Sequence, residues 1–230
     1  NEILTNAGDI YRDIEDVVLH NIEVSIQEEA EVGKEFYEFL EYKNRLIKSG
    51  NDYDKINKIM DDLVSRLLDP KGYDYQICLL DDESINAKTI GGYIFVHKGF
   101  IDFCENDSEI ASLIGHEIAH NELGHFKKHL QKIIFVEKYE LDMEMVRDLS
   151  EITSGFNQQQ EATADMFGMD LVYPTDYEYC ASISLFERLH LEEGRSPDFF
   201  ENLQATHPSA ENRADCLKNH YQINYNGTCK

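Results

Sequence analysis

The sequence predicts an α+β domain, mostly helical, with a small β-sheet. Three observations carry this. Apolar residues recur at helical spacing through much of the chain, most clearly at Ile56, Ile59, Met60, Leu63, Val64 and Leu67. Two short stretches, 73–80 and 89–98, carry strand patterns instead. Capping residues such as Asn106 and Asn157, and breaks such as Asp69-Pro70-Lys71-Gly72, mark where helices begin and end.

In chain order, residues 10–48 are charged and periodic, with apolar positions at Ile22, Val24, Ile26, Val32, Phe36, Phe39, Leu40, Leu46 and Ile47. They predict mostly helix from about Ser25. A second helix is expected over 54–68. In the strand 73–80, Tyr73, Tyr75, Ile77 and Leu79 fall on one side, and Asp81-Asp82-Glu83-Ser84 makes a turn. The strand region 89–98 contains Gly91-Gly92 ahead of Tyr93-Ile94-Phe95-Val96. Such a glycine pair marks close backbone approach or a simple hairpin bend. Asn106, with Glu109 three residues on, forms a capping-box pattern opening the next helix. Ile110, Leu113, Ile114 and Ile118 are its apolar stripe. A further helix is expected over 131–153, broken at Ser154-Gly155. Asn157 and Gln160 cap another, running to about Val172 and ended by Tyr173-Pro174. Short helices over 182–191 and 210–220 flank a loop at 193–197. There is no internal repeat or linker, so one domain over 1–230 is expected, with a helical N-terminal extension over about 1–70 and a core over about 71–220.

The chain of 230 residues carries 21 Lys and Arg against 45 Asp and Glu, a formal charge of -24. Such a surface is well solvated and repels phosphate backbones, which argues against a nucleic-acid partner. A preference for basic substrates is the alternative and weaker reading of the same charge. No apolar run reaches the ~18 residues of a membrane-spanning helix; patches such as Ile133-Ile134-Phe135-Val136 are too short. The chain starts at Asn1 rather than Met, consistent with a removed leader. Its cysteines are Cys78, Cys104, Cys180, Cys216 and Cys229, with no C-x-x-C pair, which argues against a thiolate zinc site. Cys78 and Cys104 sit in apolar surroundings as small core residues. Cys180, Cys216 and Cys229 can supply one disulfide if the protein is exported, with the pairing open.

The chemistry lies in His116-Glu117-Ile118-Ala119-His120, an H-E-x-x-H motif midway along the helix opened by Asn106. Two imidazoles four residues apart share a helix face and can hold one metal ion, and the adjacent glutamate can act as a base toward water. Catalytic zinc takes three protein ligands. The candidate for the third is Glu161, on a separate helix, in Gln160-Glu161-Ala162-Thr163-Ala164-Asp165. Asp165, one turn later on the same face, can accept the free ring N–H of a ligand histidine. Gly168 continues that face and permits close helix packing.

Together these residues resemble the HtpX and CAAX-prenyl-protease family of gluzincin zinc metallopeptidases, peptidase family M48. The resemblance runs from about Gln27 to about Leu217. Its markers come in order: Asn86 and the stretch from Gly91 to Val96; the H-E-x-x-H motif continuing to Leu123-Gly124-His125; Glu161 to Asp165; and Thr206-His207-Pro208 followed by Arg213. It implies a zincin-like domain whose sheet lies beside the H-E-x-x-H helix. It also implies one Zn2+ per chain on His116, His120 and Glu161, with Glu117 as general base. Membrane-embedded members carry apolar spans that this chain lacks. The stretch Gln27-Glu28-Glu29-Ala30-Glu31-Val32-Gly33 looks like the soluble, exported bacterial branch, whose members are periplasmic or lipid-anchored and act on envelope proteins. The chain departs from that branch at Lys88-Thr89-Ile90, where a proline usually precedes the glycines.

The expected function is therefore a zinc endopeptidase acting on unfolded or extended proteins in envelope quality control. The alternative is a non-catalytic or latent zinc-binding, chaperone-like module; in a latent peptidase the segment after Arg213 or the Phe199-Phe200 loop would plug the cleft. His207 is a candidate oxyanion donor or a plain turn histidine before Pro208. Arg213 is expected to hold Asp165, while His125 and His129 support the site or lie at the surface. Gly91, Gly92 and Tyr93 are expected to bind substrate as an added strand.

Overall fold

The computed structural model describes residues 22–128, 130–131, 156–193, 203, 207, 212–227 and 229. The expected helix beyond residue 131, its break at Ser154-Gly155, His129, the Phe199-Phe200 loop, Thr206 and Pro208 lie outside the described residues.

The first helix, α1, is Ile26–Tyr42. Ser25 caps it through a complete capping box: its hydroxyl accepts the Glu28 N–H, and the Glu28 carboxylate accepts the Ser25 N–H. The helix does not continue through Leu46 and Ile47 as expected. Asn44 takes a left-handed φ of 52°, and Leu46–Ile47 becomes strand β1, antiparallel to the next strand. Their apolar side chains are covered by the sheet rather than by a helix stripe. Helix α2 is Asn51–Val64, a turn earlier than expected, with Ile56, Ile59, Met60 and Leu63 buried.

Strand β2 is Gln76–Leu80, β3 is Ala87–Ile90 and β4 is Tyr93–His97. The sheet order is β1-β2-β4-β3, with β2 and β4 parallel and β3 and β4 antiparallel. On β2, Ile77 and Leu79 join the main core, while Cys78 and Leu80 pack with Phe36, Tyr37 and Leu40 of α1. Both faces of the sheet are therefore covered, so the simple in–out alternation expected for 73–80 becomes a mostly buried strand. The region 89–98 is two strands, and Gly91-Gly92 is the two-residue turn between them, with φ of 54° and 90°. The turn is also a close approach: a Cβ on Gly91 would lie 2.0 Å from the Glu29 carbonyl oxygen of α1.

This corrects the expected substrate strand. Gly91, Gly92 and Tyr93 are buried, and α1 closes over the turn. β4 is hydrogen-bonded on both sides, so its backbone groups have no capacity for an added strand. Among the described residues the outer strand at this end is β3.

Helix α3 is Lys98–Phe103 and α4, which carries H-E-x-x-H, is Asp107–Glu122. Asn106 caps α4 by accepting the Glu109 N–H at 3.0 Å. The box is half made, because the Glu109 carboxylate turns to the Glu105 N–H at 2.7 Å and takes Arg188 through two hydrogen bonds at 2.6 and 2.8 Å. Every residue from Glu109 to Glu122 is buried, so α4 is a central helix rather than a half-exposed one. Helices α5 (Gln158–Val172) and α6 (Ala181–Glu193) pack on it, and α7 (Arg213–Tyr225) packs on α5 and α6. Asn157 and Gln160 make both halves of the box that opens α5. Cys180 and Cys229 form the disulfide, leaving Cys216 free and exposed, Cys78 buried and Cys104 half-buried.

α4 meets α5 at a glycine crossing. A Cβ on Gly168 would lie 2.8 Å from the His116 backbone nitrogen, and one on Gly115 would lie 3.2 Å from the Gly168 carbonyl oxygen. Gly168→Ala therefore drives a methyl into backbone that cannot swing away. It is expected to cost roughly 1–3 kcal/mol, as overpacked cores do, and more than Gly115→Ala. Urea unfolding of both variants measures this, and equal losses would show that the crossing relaxes.

Candidate active site

His116, Glu117 and His120 come from α4, Glu161 and Asp165 from α5, Arg213 from the first residue of α7, and His207 from the segment before it. All are buried except Arg213, which is partly buried. One ligand atom each from His116, His120, Glu161 and His207 lies within 4.8 Å of all the others. The His116 and His120 Nε2 atoms are 2.9 Å apart. Glu161 reaches His116 Nε2 at 3.5 Å and His120 Nε2 at 3.3 Å.

The ring orientations follow from what the other nitrogens do. His116 Nδ1–H points to Asp165 Oδ1 at 2.8 Å. His120 Nδ1 faces His125 Nδ1 at 2.9 Å. Burial pushes the His125 pKa down to about 4, and its Nδ1 is the hydrogen-bond partner of His120 Nδ1. With their Nδ1 atoms turned to Asp165 and His125, the two rings bring their Nε2 atoms together beside the Glu161 carboxylate. Burial, reinforced by His116, holds His120 well below its ordinary pKa. Phe156 stacks on the His120 ring with centroids 3.8 Å apart.

Arg213 supplies the counter-charge. It donates to the two Asp165 carboxylate oxygens at 2.8 and 2.6 Å and pairs with Glu161 at 3.2 Å. Burial acts to raise the Asp165 carboxyl, but Arg213 outweighs it and holds the group below its usual range. Glu161 is likewise held low: burial opposes, while His207, Arg213 and His116 prevail. His207 donates from Nδ1 to Glu161 at 2.9 Å and from Nε2 to the Ala87 carbonyl of β3 at 3.2 Å. Burial works against its charge, yet Glu161 raises its pKa to about 9.

The donor set fits a metal ion. Both Glu117 oxygens and Glu161 Oε2 are buried without a hydrogen bond among the described residues. Two imidazole lone pairs and a carboxylate converging on one point repel one another unless a cation lies among them. Imidazole and carboxylate together suit zinc. The structure thus brings together His116, Glu117, His120, His125, Glu161, Asp165, His207 and Arg213, and places Gly91, Gly92 and Tyr93 in the sheet instead. Sequence reasoning missed Phe156 and the Ala87 carbonyl. The first has no spacing signal, and the second is a backbone group.

Asp165→Asn keeps the shape but weakens the hold on His116 Nδ1–H and leaves Arg213 buried without its main partner. Metal affinity is expected to fall about 10- to 100-fold. Competition titration against a zinc chelator reads this; unchanged affinity would remove Asp165 from the support of the site.

Residues 52–220 match the model of peptidase family M48. The chain is 26% identical over 195 residues to Metalloprotease LoiP of Escherichia coli strain K12, covering 78% of this chain and 75% of LoiP. It is 24% identical over 207 residues to Mitochondrial metalloendopeptidase OMA1 of Schizosaccharomyces pombe, covering 83% of this chain and 60% of that protein. Against the Beta-barrel assembly-enhancing protease of E. coli strain K12 the identity is 23% over 170 residues, and this chain spans 34% of that protein. The matched span takes in strands β2, β3 and β4, the H-E-x-x-H helix, both glutamates and Arg213, and the chain belongs to the metallopeptidases of family M48.

Proposed function

We propose that this chain is a zinc-dependent endopeptidase that cleaves unfolded or extended proteins. The observation that carries the reading is the buried, hydrogen-bond-free Glu117 carboxylate beside the His116, His120 and Glu161 donors. A purely structural metal site has no use for such a group.

His116, His120 and Glu161 would hold the zinc. When bound, the ion supplies Lewis-acid polarisation of a peptide carbonyl and lowers the pKa of water. Glu117 takes the proton from the attacking water and returns it to the leaving amine. Burial raises its carboxyl pKa, with His207 and His116 pulling partly the other way. Its basicity is thereby greater than that of a free glutamate, which suits a group that must both accept and return a proton. His207 is the candidate donor to the developing oxyanion. Its ring lies 3.7 Å from Glu117 and carries a proton on each nitrogen in the arrangement above. β3 offers the edge for an extended peptide, and its Ala87 carbonyl already meets His207.

A role in envelope protein quality control is part of this proposal. The Cys180–Cys229 disulfide suits an oxidising compartment. Among the described residues no helix is long and apolar enough to cross a membrane. A latent form is the second reading, favoured by one observation: a His207 ring nitrogen lies within 4.8 Å of the other candidate ligand atoms, and once it gives up its proton it would close the site as a fourth protein ligand.

Glu117→Gln is expected to keep zinc and lose casein cleavage by at least about 10²-fold, the lower bound for a general base. Zinc-loaded E117Q cleaving at the wild-type rate would falsify the base assignment. For His207→Ala, a fall in kcat of roughly 10²–10³ is expected from loss of an oxyanion donor. A rise in kcat would instead favour the latent reading.

A further inference from the structure

We propose that Asn121 is a positioning residue that sets the height of β3 over the active site, and with it the seat of an extended peptide. This rests on the endopeptidase reading above.

Asn121 directly follows the ligand candidate His120 and is fully buried. Its side chain faces the sheet. Oδ1 accepts the backbone N–H of Gly92 at 3.2 Å, and Nδ2 donates to Thr89 Oγ1 at 2.5 Å and to the Glu117 carbonyl at 3.4 Å. Because Gly92 N–H can only donate, the amide has one orientation and its nitrogen must face Thr89. Thr89 passes its own proton to the Tyr93 carbonyl across the hairpin at 3.2 Å. One side chain thus binds β3 and the turn of the hairpin to α4 directly, and β4 through the Thr89 hydroxyl, within a residue of the ligand set.

The consequence falls on β3. Thr89 lies two residues from Ala87, whose carbonyl meets His207 on the same strand. The distance of the β3 edge from Glu117 is therefore set from two points, Asn121 at one end and His207 at the other. A leucine of similar size offers neither the acceptor for Gly92 nor the donor for Thr89. α1 closes on the turn from the opposite side through Glu29 and Gly33, which packs on the Ile90 carbonyl. Replacing Asn121 therefore leaves the hairpin attached but free to shift, and the ligands His116, His120 and Glu161 keep their own partners on α5 and α7.

The experiment uses the full chain with Asn121→Leu, Thr89→Val and Thr89→Ser. Zinc content, casein cleavage and binding of a fluorescein-labelled casein peptide are measured, the last in the cleavage-deficient Glu117→Gln background. N121L and T89V are expected to retain zinc, to raise KM for peptide about tenfold, as one lost buried hydrogen bond implies, and to weaken peptide binding in parallel. T89S, which keeps the hydroxyl, is expected to restore wild-type KM. A small hydroxamate without a peptide extension, which needs the metal but not the edge, is expected to inhibit all variants equally. A merely structural role would lower the unfolding midpoint and leave KM and peptide binding unchanged, and that result overturns the proposal. Loss of zinc in N121L overturns it as well, by placing Asn121 in support of the ligands. If the wild type cleaves casein but all variants bind peptide alike, only the positioning role fails. If the wild type neither cleaves nor binds, the endopeptidase reading fails with it.

Discussion

The contact between Gly115 and Gly168 is the constraint on which the site depends. Two helices ordinarily pack with their axes 8–10 Å apart, spaced by side chains. Here the α5 backbone approaches that of α4 so closely that a Cβ on Gly168 would lie 2.8 Å from the His116 nitrogen. Aspartate and glutamate side chains are short. Only at such a separation can Asp165 reach His116 Nδ1 at 2.8 Å while Glu161, one turn away, reaches the Nε2 atoms of both histidines. Larger residues at the crossing would separate the carboxylates from the imidazoles before any chemistry began.

That proximity gathers charge in a dry place, and the rest of the fold compensates. Glu117, Glu161 and Asp165 are all buried. Arg213 reaches Asp165 and Glu161 from the start of α7, and its guanidinium lies over the Phe186 ring at 4.0 Å. An arginine suits the task because its planar fork serves two carboxylate oxygens at once and stays charged when buried. Such a network contributes little net stability, but removing one member leaves an unpaired buried charge. The apolar core of α2, α4, α6 and the sheet supplies the stability that the site does not.

Much of this was legible in the chain. Local rules carried the helices whose ends are written in capping residues: Asn106 and Asn157 cap as expected, and the helix expected from about Ser25 begins there, with Ser25 as its cap. The spacing of His116 and His120 and the pairing of Glu161 with Asp165 follow from helical periodicity, so their shared faces needed no tertiary information. Legibility failed where a residue's environment comes from a distant segment. Leu46 and Ile47 suit a helix stripe as well as a strand, and pairing with Leu80 and Leu79 decides between them. Glu109 is a capping-box residue by spacing, but Arg188 claims its carboxylate from 79 positions away. Gly91-Gly92 looked like an opening for substrate, and α1 closes it.

What the sequence by itself determined is the set of chemical groups and the helix faces that bear them: two imidazoles and a base on one helix, two carboxylates one turn apart on another. Those relations are local, since a helix converts spacing into direction over a single turn. Only the tertiary structure decided that the two faces meet at a glycine crossing, that His125 rather than a carboxylate meets His120 Nδ1, that Arg213 serves both carboxylates, and that β3 rather than β4 is the strand beside the site. Each of these depends on distances between segments far apart in the chain. Such distances arise from which surfaces bury one another, and periodicity within one segment does not encode them.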